Sequence, residues 1–160
     1  MYLINIQHIA DKAIAPKASL MRKWAEAALC QKTSMGEITL RLVDTDEMTK
    51  LNSIYRHKEG PTNVLSFPFT APDGIEEASP YLGDIVICSD VVNREAIEQE
   101  KPSDAHWAHM IIHGIFHLLG YDHATDQQAH IMESLEIKTM QTLGFPNPYL
   151  TGDENAYHDH

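Results

Sequence analysis

Only two cysteines, Cys30 and Cys88, occur in 160 residues, and they stand in no paired motif, so no disulfide framework is available to this chain. Long apolar runs are equally scarce. The longest, around Met110 to Leu119, is interrupted by His113 and His117, and no segment could cross a bilayer. Nothing before Ile4 has the basic-then-apolar pattern of an export signal, so a reduced, cytoplasmic, soluble protein with no membrane partner is expected. Basic residues are few: 12 Lys and Arg stand against 23 Asp and Glu, a formal charge of −11. A broadly basic nucleic-acid coat is therefore excluded, because affinity for a phosphate backbone comes mainly from Lys and Arg displacing counterions. A local patch survives. Much of the acidity lies in Asp73 to Glu77, Glu95 to Glu100 and Asp153 to Asp159, whereas Arg56, His57 and Lys58 stand together. Any nucleic-acid contact should be small, local and salt-sensitive. No repeat, low-complexity block or linker divides the chain, which predicts one metal-dependent hydrolase domain over residues 1–150 and a flexible acidic tail over 151–160. A chain of this length can bury about two thirds of its unfolded surface in one core.

What is present alternates between strand and helix signals. Tyr2 to Gln7 reads as a first strand, and Leu20, Met21, Trp24, Ala27, Ala28 and Leu29 recur at helical spacing, with Pro16 in the first turn and an end near Lys32. Ile38, Leu40 and Leu42 alternate with Thr39, Arg41 and Val43, the pattern of a half-buried strand. Asp44 to Glu47 has the form of a capping box, opening a helix that carries Met48, Leu51 and Ile54 inward and ends near Arg56. Lys58 to Asn63 is turn chemistry around Gly60 and Pro61. Val64 to Phe69 is strand-like, but Pro68 cannot donate to a ladder and places it at an edge or bulge, where an extended substrate could be received. Residues 71–80 read as a mobile loop, and Leu82 to Cys88 as a central strand apolar on both faces. Ser89 or Asp90 should cap a helix over Val91 to Glu100, stopped by Pro102. Ser103 opens the next helix, with Ala108, Ile111, Ile112, Ile115 and Leu119 on one face and His106, His109, His113 and His117 on the other, one stripe buried and one offered. Thr125 caps a last helix ending at Gly144, after which order is expected only where Phe145 and Tyr149 find a surface. The class is α/β: a mostly parallel sheet of about four strands with an antiparallel edge strand, packed by helices.

The chemistry concentrates in His113-Gly-Ile-Phe-His117-Leu-Leu-Gly120-Tyr-Asp-His123. On a helix, His113 and His117 project from one face about 6 Å apart along the axis. Gly120 can leave the helix with positive φ and let His123 return toward the same point. Three imidazoles around a tetrahedral ion leave one position open, as in catalytic zinc sites. The tetrahedral nitrogen set favours one zinc per chain, although nickel or iron accepts the same donors. The spacing is that of a metzincin-like zinc helix, H-E-x-x-H-x-x-G-x-x-H, except that the general-base Glu is Gly114 here. Peptide hydrolysis loses its proton carrier, whereas phosphodiester cleavage asks chiefly for charge stabilisation on phosphoryl oxygens and for water ionised near pH ~7. Arg56 is the natural cation for that task, its alternative being an exposed ion pair with Glu59 or Glu47.

Three runs carry a resemblance: Leu51 to Pro68, Leu82 to Ile87, and His113 to His123. In that order they closely resemble the YbeY family of bacterial endoribonucleases, with no departure from the family pattern. The resemblance implies a zinc-dependent, single-strand-specific RNase acting in ribosomal RNA maturation at the 3′ end of 16S rRNA and in ribosome quality control, with the ribosome or its proteins as partners. It carries the metal role onto His113, His117 and His123, and an essential catalytic role onto Arg56 alongside the ligand His113.

Several residues keep two readings. Asp122 could orient a ligand or act as a base, or be a turn residue capping the last helix. Ser66 and Thr62 could contact phosphate, or satisfy their own backbone. Asp84 is expected to bond the backbone across its strand end. His106 and His109 are expected on the surface or just behind the ligands, and His158 and His160 in the tail. Two other functions compete: a metallopeptidase or amidase, disfavoured by Gly114, and a non-catalytic zinc-containing ribosome-assembly factor.

Overall fold

The structure, a computed structural model, describes residues 1–70 and 81–150. The expected loop over 71–80 and the acidic tail, with His158 and His160, lie outside the described residues.

Strands β1 (Tyr2–His8), β2 (Gly36–Val43), β3 (Val64–Pro68) and β4 (Tyr81–Cys88) form a four-stranded sheet in the order β1-β2-β4-β3. The β1/β2 and β2/β4 pairs are parallel and β3 runs antiparallel to β4 at the edge, the expected arrangement. Pro68 explains why β3 is the edge. The Asn63 carbonyl accepts from the Cys88 N–H, and the Phe69 N–H donates to Leu82. Odd-numbered residues of β3 therefore address β4, while Val64, Ser66 and Pro68 turn their backbone groups outward. The N–H that proline lacks falls on the free side.

Helices cover both faces. Helices α1 (Ala18–Leu29), α4 (Ser103–Leu118) and α5 (Asp126–Thr142) share one core with Ile38, Leu40, Leu42, Ile85 and Ile87. Helices α2 (Thr45–Arg56) and α3 (Ser89–Glu98) cover the other face, where Met48 and Val91 meet Val43, Leu65, Val86 and Cys88. With layers on both sides, β2 is buried almost continuously rather than in alternation.

Local signals were mostly obeyed, with informative exceptions. The Asp44 side chain caps α2 by accepting from the Glu47 N–H at 2.9 Å, but the reciprocal half of the box is missing because the Glu47 carboxylate pairs with Arg41 at 2.9 Å. Ile54 is 63% exposed, not inward. Helix α1 begins after Pro16 and stops short of Lys32. Helix α3 begins and ends two residues early, at Ser89 and Glu98, with Cys88 as its N-cap and no side-chain cap, and Ser89 is buried. Thr125 and Gln128 do form a full capping box at α5. Phe145 packs edge-on against Trp24, with ring centroids 6.1 Å apart.

The largest departure concerns α4, which is no two-striped helix. It lies in the middle of the molecule with Trp107, Ile111, Ile112, Ile115 and Phe116 fully buried, and His106 and His109 are buried as well. Burial of Phe116 alone contributes roughly 1.5–3 kcal/mol.

Gly83 marks the tightest contact of the edge. Its φ is +144°, and a Cβ there would stand 2.3 Å from the Phe67 carbonyl oxygen. Gly83→Ala should therefore lower unfolding free energy by roughly 2–4 kcal/mol, read from a shift of the urea midpoint. A midpoint equal to that of the parent would show that β3 relaxes freely.

Candidate metal centre and adjoining cleft

The last turn of α4 is built to bring the third imidazole back. Gly120, at φ +102°, donates its N–H to His117 O at 3.0 Å, and the Tyr121 N–H reaches Phe116 O at 3.0 Å. These two bonds make a Schellman motif, sealed by the edge contact of the Phe116 and Tyr121 rings at 5.9 Å. The His113 and His117 ring centroids lie 4.6 Å apart, and His123 stands 5.0 Å from His117 and 5.9 Å from His113. One nitrogen from each ring lies within 4.8 Å of the others.

The set fits a metal ion in its chemistry as well as its proximity. His113 Nδ1 donates to Glu136 Oε2 at 3.0 Å, which leaves its Nε2 lone pair for a cation. Burial, then the neighbouring His113 and His123, lowers the pKa of His117 and favours the neutral ring that a metal requires.

Glu136 is the residue sequence reasoning missed. It is fully buried; its Oε1 accepts from His109 Nε2 at 2.6 Å and from the Tyr149 hydroxyl. Burial raises its pKa, but the hydrogen bonds from His109 and His113 and their charge prevail and hold the carboxyl at about 2. The Tyr149 hydroxyl is raised, by burial first and by Glu136 second. A signal existed: Glu136 lies four residues from both Met132 and Met140, on the face of α5 that faces the core. His109, His113 and Glu136 also form a compact donor group, but their atoms are spent on one another as hydrogen bonds.

Of the two positions expected for His106 and His109, the surface is excluded, because both are buried. His109 stands behind a candidate ligand through Glu136, whereas His106 Nε2 meets Glu95 Oε1 at 2.9 Å. Glu95 also accepts from Asn63 Nδ2 at 3.1 Å, tying α4 through α3 to the start of β3. Burial raises the Glu95 carboxyl, but the hydrogen bonds from His106 and Asn63 outweigh it and the net shift is downward.

A cleft of about 520 Å³ is lined by the three histidines, by Val64 to Ser66 at the edge of β3, and by Arg56 and Thr62. Arg56, the last residue of α2, is exposed and makes no ion pair among the described residues, since Glu47 is taken by Arg41. Ser66 Oγ donates to Gly114 O at 2.7 Å, holding β3 to α4 rather than satisfying its own strand. Asp122 Oδ1 accepts the His123 N–H at 2.7 Å, a turn role, but the cap of α5 is Thr125. Asp84 accepts from the Tyr81 hydroxyl and, among the described residues, its side chain bonds no backbone across the strand end. Gly114 faces the sheet: a Cβ would lie 2.9 Å from Ile85 Cγ2 and 3.1 Å from Val64 Cγ2. A side chain at the position where a metalloprotease keeps its general base would have to displace Ile85 and Val64.

An α/β layer protein with an open three-histidine centre beside an edge strand is the class defined by these features. Residues 5–144 match the profile described as endoribonuclease YbeY. Proteins of that name are 53% identical in Pseudomonas savastanoi pv. phaseolicola, over 95% of this chain and 90% of the relative, and 51% identical in Alcanivorax borkumensis, over 96% and 89%. The Nitrosococcus oceani protein of the same name is 48% identical over 91% of this chain and 95% of its own. The chain belongs to the YbeY family. A Thermotoga maritima protein solved in solution shares the fold, with a TM-score of 0.56, 23% identity, and coverage of 90% of this chain and 92% of that one.

Glu136→Gln keeps the shape but weakens the acceptor behind His113, so zinc affinity measured against a chromophoric chelator should fall roughly 10- to 100-fold. The Glu95 carboxyl is lowered on folding from its ordinary 4.5, so its contribution is complete above that pH and fades as pH falls through the folded value. Urea unfolding should therefore show wild type more stable than Glu95→Gln at neutral pH and the gap closing in acid below pH 4.5.

Proposed function

We propose that this chain is a metal-dependent endoribonuclease that cuts single-stranded RNA, with His113, His117 and His123 holding one zinc ion and Arg56 steadying the phosphate. The observation that carries this reading is the shared cleft, lined by three clustered imidazoles, by the edge of β3 and by a guanidinium that makes no ion pair among the described residues. A divalent cation bound there supplies Lewis acidity toward a phosphoryl oxygen and acidifies water. Arg56 can grip two phosphate oxygens at once, and the outward Ser66 N–H offers a further donor along the edge. Glu136 and His109 hold His113 in the orientation and tautomer that present Nε2. The absence of space at Gly114 speaks against the peptidase alternative.

The names of the relatives support the reaction type. Ribosomal RNA, including the 3′ end of 16S rRNA, is the proposed substrate in a cytoplasmic setting, with the ribosome as partner. Among the described residues no helix is long and apolar enough to cross a membrane. Residues 1–150 are proposed to act as one domain, supported by a core that draws on all of β1, β2, β4, α1, α4 and α5.

Purified protein should contain one zinc per chain and cut a single-stranded rRNA fragment while leaving its duplex intact. Chelation and His113→Ala should each abolish cutting, and Arg56→Ala should lower turnover roughly 100-fold or more with metal content unchanged. Intact RNA after incubation with zinc-replete wild type would refute the proposal, and full activity in His113→Ala would reveal a contaminating nuclease.

A further inference from the structure

The aromatic residues outside the cleft have no place in the chemistry above. Tyr55 is 59% exposed at the last turn of α2, immediately before Arg56. Its ring meets Phe67 of β3 edge-to-face, with centroids 5.1 Å apart and planes at 73°. Phe67 in turn packs against the cluster of Met48, Leu65 and Val86. An exposed tyrosine is thus seated on a ring that is itself anchored in the sheet.

Alternation along β3 decides which side this pair occupies. Ser66 reaches Gly114 of α4, so its neighbour Phe67 lies on the opposite face of the strand, toward α2. A chain laid along the free edge therefore has the histidines on one flank and the Tyr55–Phe67 pair on the other, and Arg56, next to Tyr55 in sequence, lines the cleft with the histidines. Arg56 and Lys58 are both exposed, and neither makes an ion pair among the described residues. In a chain of net charge −11, such a cationic turn beside an exposed ring matches a polyanion that carries flat bases.

We propose that Tyr55, seated on Phe67, is a stacking platform for one base of single-stranded RNA, next to the nucleotide whose phosphate Arg56 holds. The proposal rests on the RNA reading of the cleft and adds a subsite to it. Stacking is available only to an unpaired base, so the platform would also favour single strands over duplex.

The test crosses protein variants with an abasic scan. A short single-stranded oligoribonucleotide is prepared intact and with one base removed at each position in turn, and the zinc-loaded protein is measured for binding by fluorescence anisotropy and for cleavage by kcat/KM. Tyr55→Ala and Tyr55→Leu should each weaken binding of intact RNA on the order of tenfold, carried by KM, while Tyr55→Phe stays near wild type. At one position, removing the base should cost wild type the same factor and cost Tyr55→Ala nothing. Leucine keeps an apolar contact with Phe67, so a loss shared by both variants at unchanged melting temperature reports the ring and not the fold. If RNA is bound and cut but every variant equals wild type, or the loss is the same at every abasic position, the platform is refuted and the patch is left as a surface for a protein partner. If wild type neither binds nor cuts RNA, the reading of the cleft falls and the platform with it.

Discussion

The close approach of α4 to the β3–β4 edge at Gly114 is the constraint on which the other parts of the site depend. Because residue 114 has no side chain, the helix can settle onto Ile85 and Val64, and Ser66 can reach the Gly114 carbonyl. That contact sets the distance between the imidazoles of α4 and the free edge of β3. It also relocates a familiar motif. With Glu at this position the helix would have to stand off the sheet, so Gly114 has a packing role as well as removing a base.

Two carboxylates, Glu136 fully buried and Glu95 half-buried, hold the helix in register with its surroundings. Glu136 of α5 grips His109 and His113, and Glu95 of α3 grips His106 while also holding Asn63 at the start of β3. Each is costly to bury alone and stable when its oxygens are filled, as they are here. A helix carrying four histidines can thus serve as the central core helix: two rings are turned to internal partners and two to the cleft.

The acidic composition is compatible with an anionic substrate because the cations that matter are local. Arg41 and Arg94 are paired with Glu47 and Glu98, whereas Arg56 is unpaired among the described residues and faces the cleft. Net charge describes the field of the whole chain at long range; at a few ångströms in salt solution, the unpaired guanidinium dominates.

Much was legible in the residues. The α/β class, the antiparallel edge at Pro68, the capped start of α5 and the clustering of His113, His117 and His123 all follow from short-range rules: strand alternation, a missing N–H, a cap, an i/i+4 pair followed by a glycine turn. Those rules act within one or two turns of chain, so a sequence displays them directly. Tertiary structure alone decided that α4 is buried on all but its His113–His117 face and its first turn, that Ile54 faces water, and that Glu136 stands behind His113 across 23 residues of sequence. It also decided that Gly114 faces the sheet and that Arg56 is free of Glu47. These outcomes are set by packing between segments and by the cost of leaving a buried polar group unsatisfied, and local pattern showed at most that Glu136 shares a helix face with Met132 and Met140.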